Sequence, residues 1–284
     1  MEIVCRDVWY RYPTPEAPWT LNGIDLELRQ GEKVALIGPA GSGKTTLIQL
    51  LDALSLPTEG SVFFDGQEVQ TLARRKELAS IRRRIGVLFQ FPEHQFFEET
   101  AYDELVFSLR NFYRPTEAEI EAAALRLLEP MGLELDRLRQ VSPFSLSTGE
   151  KRKLALASAL MTGPEVLILD EPTAGMDGVG RGELLRVLGA LEDTSVVLVT
   201  HNLEDFLEIV DRVVCLASGR VVFDLPRDQL VAQLEAIETG GIELPLALRV
   251  QAWLAQAGQR LEPPVYSMSA LIDVLEQRLT RPRD

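Results

Sequence analysis

The chain has 284 residues, of which 46% are hydrophobic, and carries a formal net charge of −14. This length and apolar content allow one large globular domain with a small appendage. The acidic balance opposes a broad electrostatic contact with nucleic acid, so any bound anion requires a local site.

Membrane and disulfide signals are weak. No apolar run approaches the roughly 18 residues of a membrane span, and the start, "MEIVCRD", lacks a basic region followed by an apolar one. We therefore expect a protein on the cytoplasmic side that contacts the membrane only through partners. Cys5 and Cys215 lie in apolar, β-branched surroundings and are expected to be reduced and buried.

The first hundred residues predict mainly strands. Alternating, β-rich segments are "EIVCRDVWYRY", "LNGIDLELRQG" and "KVALIG", and a hairpin is predicted over "GSVFFDGQEV". Between them, from Lys44, a helix is predicted over "KTTLIQLLDAL". From about Thr100 to Met161 the pattern is mainly helical, with Thr116 as an expected N-cap.

The second half alternates strands and helices. The segments in order are "EVLILDEP", "GELLRVLGAL", "SVVLVT", "LEDFLEIV" and "RVVCLASG". Continuous apolar strands of this kind favour a parallel sheet covered on both faces, hence an α/β core with a helical insertion. The last 45 or so residues predict a separate appendage of two amphipathic helices, "LALRVQAWLAQAG" and "SALIDVLEQRL".

A glycine-rich stretch after the strand "KVALI" is typical of a phosphate-binding loop. It reads "GPAGSGKTT" and matches G-x-x-x-x-G-K-[ST] at the start of a helix. In this motif backbone N–H groups surround the β-phosphate, the lysine reaches the β- and γ-phosphates, and the next hydroxyl takes a Mg²⁺ position. The predicted site, with Thr45 as a metal ligand, comprises Gly38, Pro39, Ala40, Gly41, Ser42, Gly43, Lys44, Thr45 and Thr46.

Two acidic residues end the predicted strand "VLILDEP". At the end of a buried parallel strand near a phosphate loop, Asp170 can hold Mg²⁺ through water and Glu171 can polarise the attacking water. The alternative is that one of these acids is simply the N-cap of the next helix.

About twenty residues earlier, "LSTGE" resembles the signature motif of ABC-transporter ATPases, usually LSGGQ. The resemblance implies a P-loop NTPase fold with a RecA-like core, an antiparallel β subdomain and a helical insertion. It also implies that Ser147 and Gly149 contact the γ-phosphate of ATP bound to a second subunit. The basic run that follows, Lys151 to Lys153, is either solvated or close to phosphate.

Four further residues match the same family, over residues 1 to about 225. Tyr12 matches the aromatic that stacks on adenine, with core packing or Tyr10 as alternatives. Gln90 matches the glutamine that contacts Mg²⁺ and the attacking water. Asp177 matches the residue that communicates across the dimer, although an acidic turn residue is an alternative. His201 matches the histidine that contacts the γ-phosphate.

Within the family, "FQFPEHQFFEETAYDEL" resembles the ATPases of energy-coupling-factor transporters, which import vitamins or transition-metal ions. The resemblance implies three partners: a second ATPase, a transmembrane coupling protein and a membrane protein that binds the substrate. We expect the aromatic segment 91–99 to shape a groove for a helix of the coupling protein. Other ABC transporter classes, or a non-transport ABC ATPase that acts on nucleic acid, are the alternatives.

The resemblance divides the chain into an ATPase domain (1–240, helical part about 91–160) and a C-terminal dimerisation segment (241–284). The segment's apolar stripe consists of Leu271, Val274, Leu275 and Leu279. The alternative is that this segment packs only on the ATPase domain of the same chain. Thr148 and Glu150 depart from the family signature, and we expect them to weaken one composite site and to favour a non-identical ATPase partner.

Overall fold

The structure is a computed structural model that describes residues 1–14, 16–234, 237 and 244–280, excluding the side chains of 279 and 280. Within these residues no helix is both long and apolar enough to cross a membrane. The strands are β1 (Ile3–Tyr10), β2 (Leu21–Leu28), β3 (Lys33–Ile37), β4 (Glu59–Phe64), β5 (Gln67–Glu68), β6 (Ile85–Leu88), β7 (Val166–Asp170), β8 (Ser195–Val199), β9 (Arg212–Ala217) and β10 (Arg220–Pro226). The α-helices are α1 (Lys44–Leu51), α2 (Val69–Arg74), α3 (Leu78–Arg82), α4 (Ala101–Phe112), α5 (Glu117–Leu128), α6 (Leu135–Leu138), α7 (Thr148–Leu160), α8 (Gly178–Gly189), α9 (Leu246–Gln256) and α10 (Met268–Thr280).

The central sheet has the strand order β10-β9-β3-β8-β7-β6. Its strands from β9 to β6 are parallel, and β10 joins the edge antiparallel to β9. Every residue of β7 is buried because alternate side chains enter apolar clusters on opposite faces: Val166 and Ile168 in one, Leu167 and Leu169 in the other. The prediction of a parallel sheet covered on both faces is confirmed.

A second, antiparallel sheet has the order β2-β1-β4-β5. Its buried side chains, among them Ile3 and Phe64, share one apolar cluster with Leu47 and Ile48 of α1. This packing fixes the end of β1 beside the helix that starts at the phosphate loop.

The helical region between β6 and β7 consists of α4 to α7. Helix α5 begins where the sequence predicts, because Thr116 and Glu119 form a reciprocal capping box. Its buried residues Ile120, Ala124 and Leu128 follow the predicted spacing. The prediction of a mainly helical middle is therefore confirmed.

The segment "LEDFLEIV" is not the α-helix that its spacing predicts. It forms one 3₁₀ turn, Leu203–Asp205, followed by hydrogen-bonded turns. Its ends are fixed, since Asn202 N donates to Thr200 Oγ1 (2.9 Å) and Asp211 N donates to Lys33 O (2.8 Å) at the start of β9. The apolar spacing correctly predicts the buried side but not the element, because these two fixed ends set the path of the chain between β8 and β9.

The first C-terminal helix, α9, packs on the rest of the chain, and α10 packs on α9. Leu248 and Ala252 of α9 belong to the main core, whereas Ala247, Leu261 and Leu271 form a small cluster between α9 and α10. Val274 and Leu275 pack against this small cluster, while the Leu279 side chain lies outside the described residues. The predicted boundary at 240–241 also lies outside them, and the division into two domains stays a prediction.

Candidate nucleotide site

The predicted phosphate loop lies between β3 and α1, and two of its positions require glycine. Gly38 has φ 141°, and a Cβ there would lie 1.9 Å from the carbonyl oxygen of Leu216 on β9. Gly43, the N-cap of α1, has φ 102°, and its Cβ would lie 2.8 Å from Leu21 Cδ2. Among the remaining loop residues the exposed ones are Pro39, Ala40, Gly41 and Thr45, and the buried ones are Ser42, Lys44 and Thr46.

Lys44 lies inside this loop rather than in solvent. Its Nζ donates hydrogen bonds to the carbonyl oxygens of Gly38 (2.8 Å) and Pro39 (2.9 Å). Burial lowers the pKa of Lys44, and the carboxylates of Glu171 and Asp170 oppose that shift. The buried Ser42 Oγ has no hydrogen-bond partner in the described part of the chain. An ammonium, an unpaired hydroxyl and a glycine backbone at a helix N-terminus together fit a phosphate group.

Asp170 and Glu171 follow at the carboxyl end of β7. Burial raises the pKa of both carboxyl groups, and the charges of Lys44 and His201 counteract the shift. Glu171 has φ 50°, a left-handed conformation that costs on the order of 1 kcal/mol or more for a residue with a side chain. Glu171 N donates to Val199 O (2.9 Å), which ties this residue to the end of β8.

Strand pairing brings His201 to the same place. Asp170 pairs with Val199 between β7 and β8, and Leu36 of β3 pairs with the same Val199. His201, two residues beyond Val199, places Nε2 3.5 Å from Glu171 Oε1. The predicted loop, acids and histidine therefore follow adjacent parallel strands and meet at one edge of the sheet.

Gln90 follows β6 and is exposed. Its carbonyl oxygen accepts a hydrogen bond of 3.0 Å from Arg152 Nη2, and Arg152 Nη1 donates to Glu171 O at 2.9 Å. Arg152 is only 5% exposed, so of the two alternatives for the basic run, a solvated face is wrong at this position. The helical spacing indicates this burial, because Arg152 precedes the buried Leu156 and Leu160 by four and eight residues and so lies on the same face.

Tyr12 and Tyr10 differ in exposure, which distinguishes a ring available for stacking from a ring packed in the core. Tyr10 is 8% exposed in β1, whereas Tyr12 is 42% exposed. The Tyr12 hydroxyl lies 3.0 Å from Thr46 Oγ1 on α1. Of the two, Tyr12 is thus the exposed ring beside the phosphate loop.

The signature residues lie at the start of α7. Ser147 is the N-cap, and its capping box with Glu150 satisfies backbone N–H groups at both positions. Arg137 pairs with the Glu150 carboxylate and, with the Ser147 hydrogen bonds, lowers the pKa of Glu150 to about 2. A Cβ added at Gly149 would meet nothing within 4 Å, so no contact among the described residues explains a glycine there.

Asp177 lines the same open concave surface as Ser147 and Gly149. It is the N-cap of α8, and its Oδ1 accepts a hydrogen bond of 2.8 Å from Gly180 N. The acidic-turn alternative is therefore correct as a local description. No phosphate-loop residue lines this surface.

Comparison with known proteins assigns the family. Residues 21–174, more than half of the chain, match the family model described as "ABC transporter". The chain belongs to the ABC transporter family. This ABC ATPase is 36% identical over 273 residues to the energy-coupling factor transporter ATP-binding protein EcfA2 of Clostridium perfringens, a match that spans 94% of this chain and 95% of that protein. It is 39% identical over 276 residues to EcfA2 of Symbiobacterium thermophilum, over 96% and 94% of the two chains.

Solved structures agree. The ABC ATPase is similar to a dimeric ATP-binding cassette in a post-hydrolysis state bound to ADP and Pi, with a TM-score of 0.72 and 29% identity over 79% of this chain and 98% of that one. It is similar to cbiO1 of Clostridium perfringens, part of the transporter complex cbiONQ, with a TM-score of 0.70 and 29% identity over 87% and 97%. The expected P-loop fold, ATP binding and ATPase activity are confirmed, as is the energy-coupling-factor type.

Proposed function

We propose that this ABC ATPase hydrolyses ATP in a composite dimer and drives uptake of a vitamin or a transition-metal ion through an energy-coupling-factor complex. The observation that carries the proposal is the separation of two half-sites. Lys44, Glu171 and His201 meet at one sheet edge, whereas Ser147 and Gly149 line another surface. Each half-site needs a complement, and two such subunits facing each other supply it.

The chain's own residues support hydrolysis in defined roles. Loop N–H groups and the Lys44 ammonium bind the β- and γ-phosphates. To do so, Lys44 gives up its hydrogen bonds to the carbonyl oxygens of Gly38 and Pro39. Burial raises the pKa of Glu171, which makes its carboxylate a better proton acceptor for the attacking water. His201, beside Glu171, donates to the γ-phosphate, while Gln90 orients the water.

The donor set also fits Mg²⁺. Thr45 presents an exposed hydroxyl at the first turn of α1, and Asp170 presents a carboxylate, which are hard oxygen ligands. Together with Gln90 these side chains would hold the ion. When bound, it neutralises phosphate charge.

A groove beside β6 fits the membrane partner. Its lining includes the exposed rings of Phe97 and Phe107, which meet edge to face with centroids 4.7 Å apart. Exposed aromatic rings commonly dominate binding at interfaces. We infer that this groove receives a helix of the transmembrane coupling protein, which places the ATPase peripherally on the cytoplasmic face of the membrane, next to a substrate-binding membrane protein.

The second ATPase is expected to be non-identical, because Thr148 and Glu150 depart from the family signature. The charge of Glu150 opposes a bound anion less than the sequence indicates, since Arg137 pairs with the Glu150 carboxylate. The β-branched Thr148 is therefore the main cause of the expected weakening of the composite site. We further propose that α10 joins the two ATPases through the part of its surface that does not contact α9.

The experiment is Glu171→Gln in the complex purified from native membranes. Turnover should fall by roughly 10²–10⁴-fold, because the amide cannot accept the proton. ATP binding should persist and trap the two ATPases in a closed state, visible as ATP that stays bound to the complex. Glu208→Gln, which removes an exposed carboxylate away from the site, is the matched control. Full turnover by Glu171→Gln would refute the assignment, and partner identification by mass spectrometry tests the proposed complex.

A further inference from the structure

Arg152 is a buried cation held by two backbone carbonyls. It donates to Glu171 O at 2.9 Å and to Gln90 O at 3.0 Å, and only 5% of it is exposed. A buried guanidinium is costly unless its donors are hydrogen-bonded. Here two donors go to the two loops that carry the residues proposed for hydrolysis.

The two carbonyls are near each other because β6 and β7 are parallel neighbours, with Leu88 paired to Leu169. Gln90 and Glu171 each lie two residues beyond these partners, past the end of the sheet ladder. A guanidinium has a rigid planar fork that can reach both oxygens, whereas an ammonium is a single point. Arg152 thus fixes the separation of the two loops.

The same residue belongs to the helix that starts at the signature. Arg152 is five residues from the N-cap Ser147, or about 8 Å along the axis of α7. A displacement of α7 when the signature meets a neighbouring subunit's nucleotide is therefore transmitted to the backbone of Gln90 and Glu171 through two hydrogen bonds.

We propose that Arg152 is a positioning residue that sets Gln90 and Glu171 for hydrolysis and links both to the movement of the signature helix. The proposal rests on the roles given above to Glu171 and Gln90. It assigns Arg152 no contact with nucleotide, so its loss should affect kcat and spare ATP affinity.

The test uses the full-length chain in its purified complex. Arg152→Met keeps the volume and removes both donors, Arg152→Lys keeps the charge but not the fork, and Lys151→Met removes a neighbouring charge from the same helix. For each variant one measures kcat, KM for ATP, ATP affinity and Tm. We expect kcat of Arg152→Met to fall at least about ten-fold with KM and affinity within about two-fold, an intermediate kcat for Arg152→Lys, and no change for Lys151→Met.

Three outcomes overturn the proposal: wild-type kcat in both Arg152 variants, ATP affinity falling together with kcat, or full recovery of kcat by Arg152→Lys. If Arg152→Met does not fold, Arg152→Lys decides by the same criteria. Glu171→Gln is measured alongside. If Glu171→Gln loses turnover and the Arg152 variants keep it, this inference alone is refuted. Full turnover in Glu171→Gln refutes the proposed function.

Discussion

The variant Phe97→Ser tests the proposed groove. The structure distinguishes Phe97 from the neighbouring Phe96. The sequence groups Phe96 with Phe97 in one aromatic segment, yet Phe96 is 7% exposed and Phe97 is 61% exposed. Phe97 gives up mainly one edge-to-face contact with Phe107, which contributes about 1 kcal/mol to folding. Its loss should lower Tm by only ~2–4 °C.

Phe96→Ser should behave quite differently. Removal of a buried phenyl ring costs ~3–5 kcal/mol, which corresponds to a fall in Tm of roughly 6–20 °C. A double replacement of Phe96 and Phe97 would therefore confuse misfolding with loss of binding, and Phe97 has to be changed alone.

The binding assay titrates the coupling protein against the ATPase in detergent. An aromatic side chain at the centre of an interface contributes ~2 kcal/mol or more, so Phe97→Ser should weaken binding by about 30-fold or more, with ATP binding unchanged. Leu125→Ser is the matched control, since this apolar side chain of α5 is 49% exposed but does not line the groove. Wild-type affinity in Phe97→Ser, or an equal loss in Leu125→Ser, would refute the reasoning.

Three further predictions concern stability and assembly. Ser147→Ala removes an N-cap and should lower the unfolding free energy by ~1 kcal/mol, whereas Ser147→Asn should retain most of it; equal Tm values for both variants would contradict the capping role. Arg84 lowers the pKa of Glu165 to about 2, below the unfolded 4.5, so this pair stabilises the fold above pH 4.5 and loses that effect as pH falls toward 2. Arg84→Met should therefore flatten the acid side of the Tm profile, and an unchanged slope would exclude the pair as its cause. Truncation after residue 258 should leave an ATP-binding monomer by light scattering, and a persistent dimer would show that α10 is not the joining element.

The sequence predicts the nucleotide half-site well because its chemistry constrains the backbone locally. At Gly38 and Gly43 any side chain would collide with Leu216 or Leu21, so the motif specifies the loop shape directly. Glu171 and His201 need only the additional rule that the ends of neighbouring parallel strands share one edge. Their proximity then follows from the strand pattern.

Long-range packing is what the sequence does not predict. Arg152 lies 19 residues from Glu171 and 62 from Gln90, and they come together because α7 docks against β6, the strand paired with β7. Glu150 shows the same limit on a smaller scale, since its charge is paired with Arg137, 13 residues earlier. A carboxylate that looks unpaired in the signature is in fact neutralised by a side chain from α6.

The burial of α9 bears on the kinetic order of the catalytic cycle. Leu248 and Ala252 lie in the main core, and the buried Gln251 bonds both the nitrogen and the oxygen of Val265 in the loop that leads to α10. Two ATPases joined through α10 would stay tethered after releasing ADP. Reclosure would then be a first-order step, so the turnover number of the assembled pair should not depend on enzyme dilution.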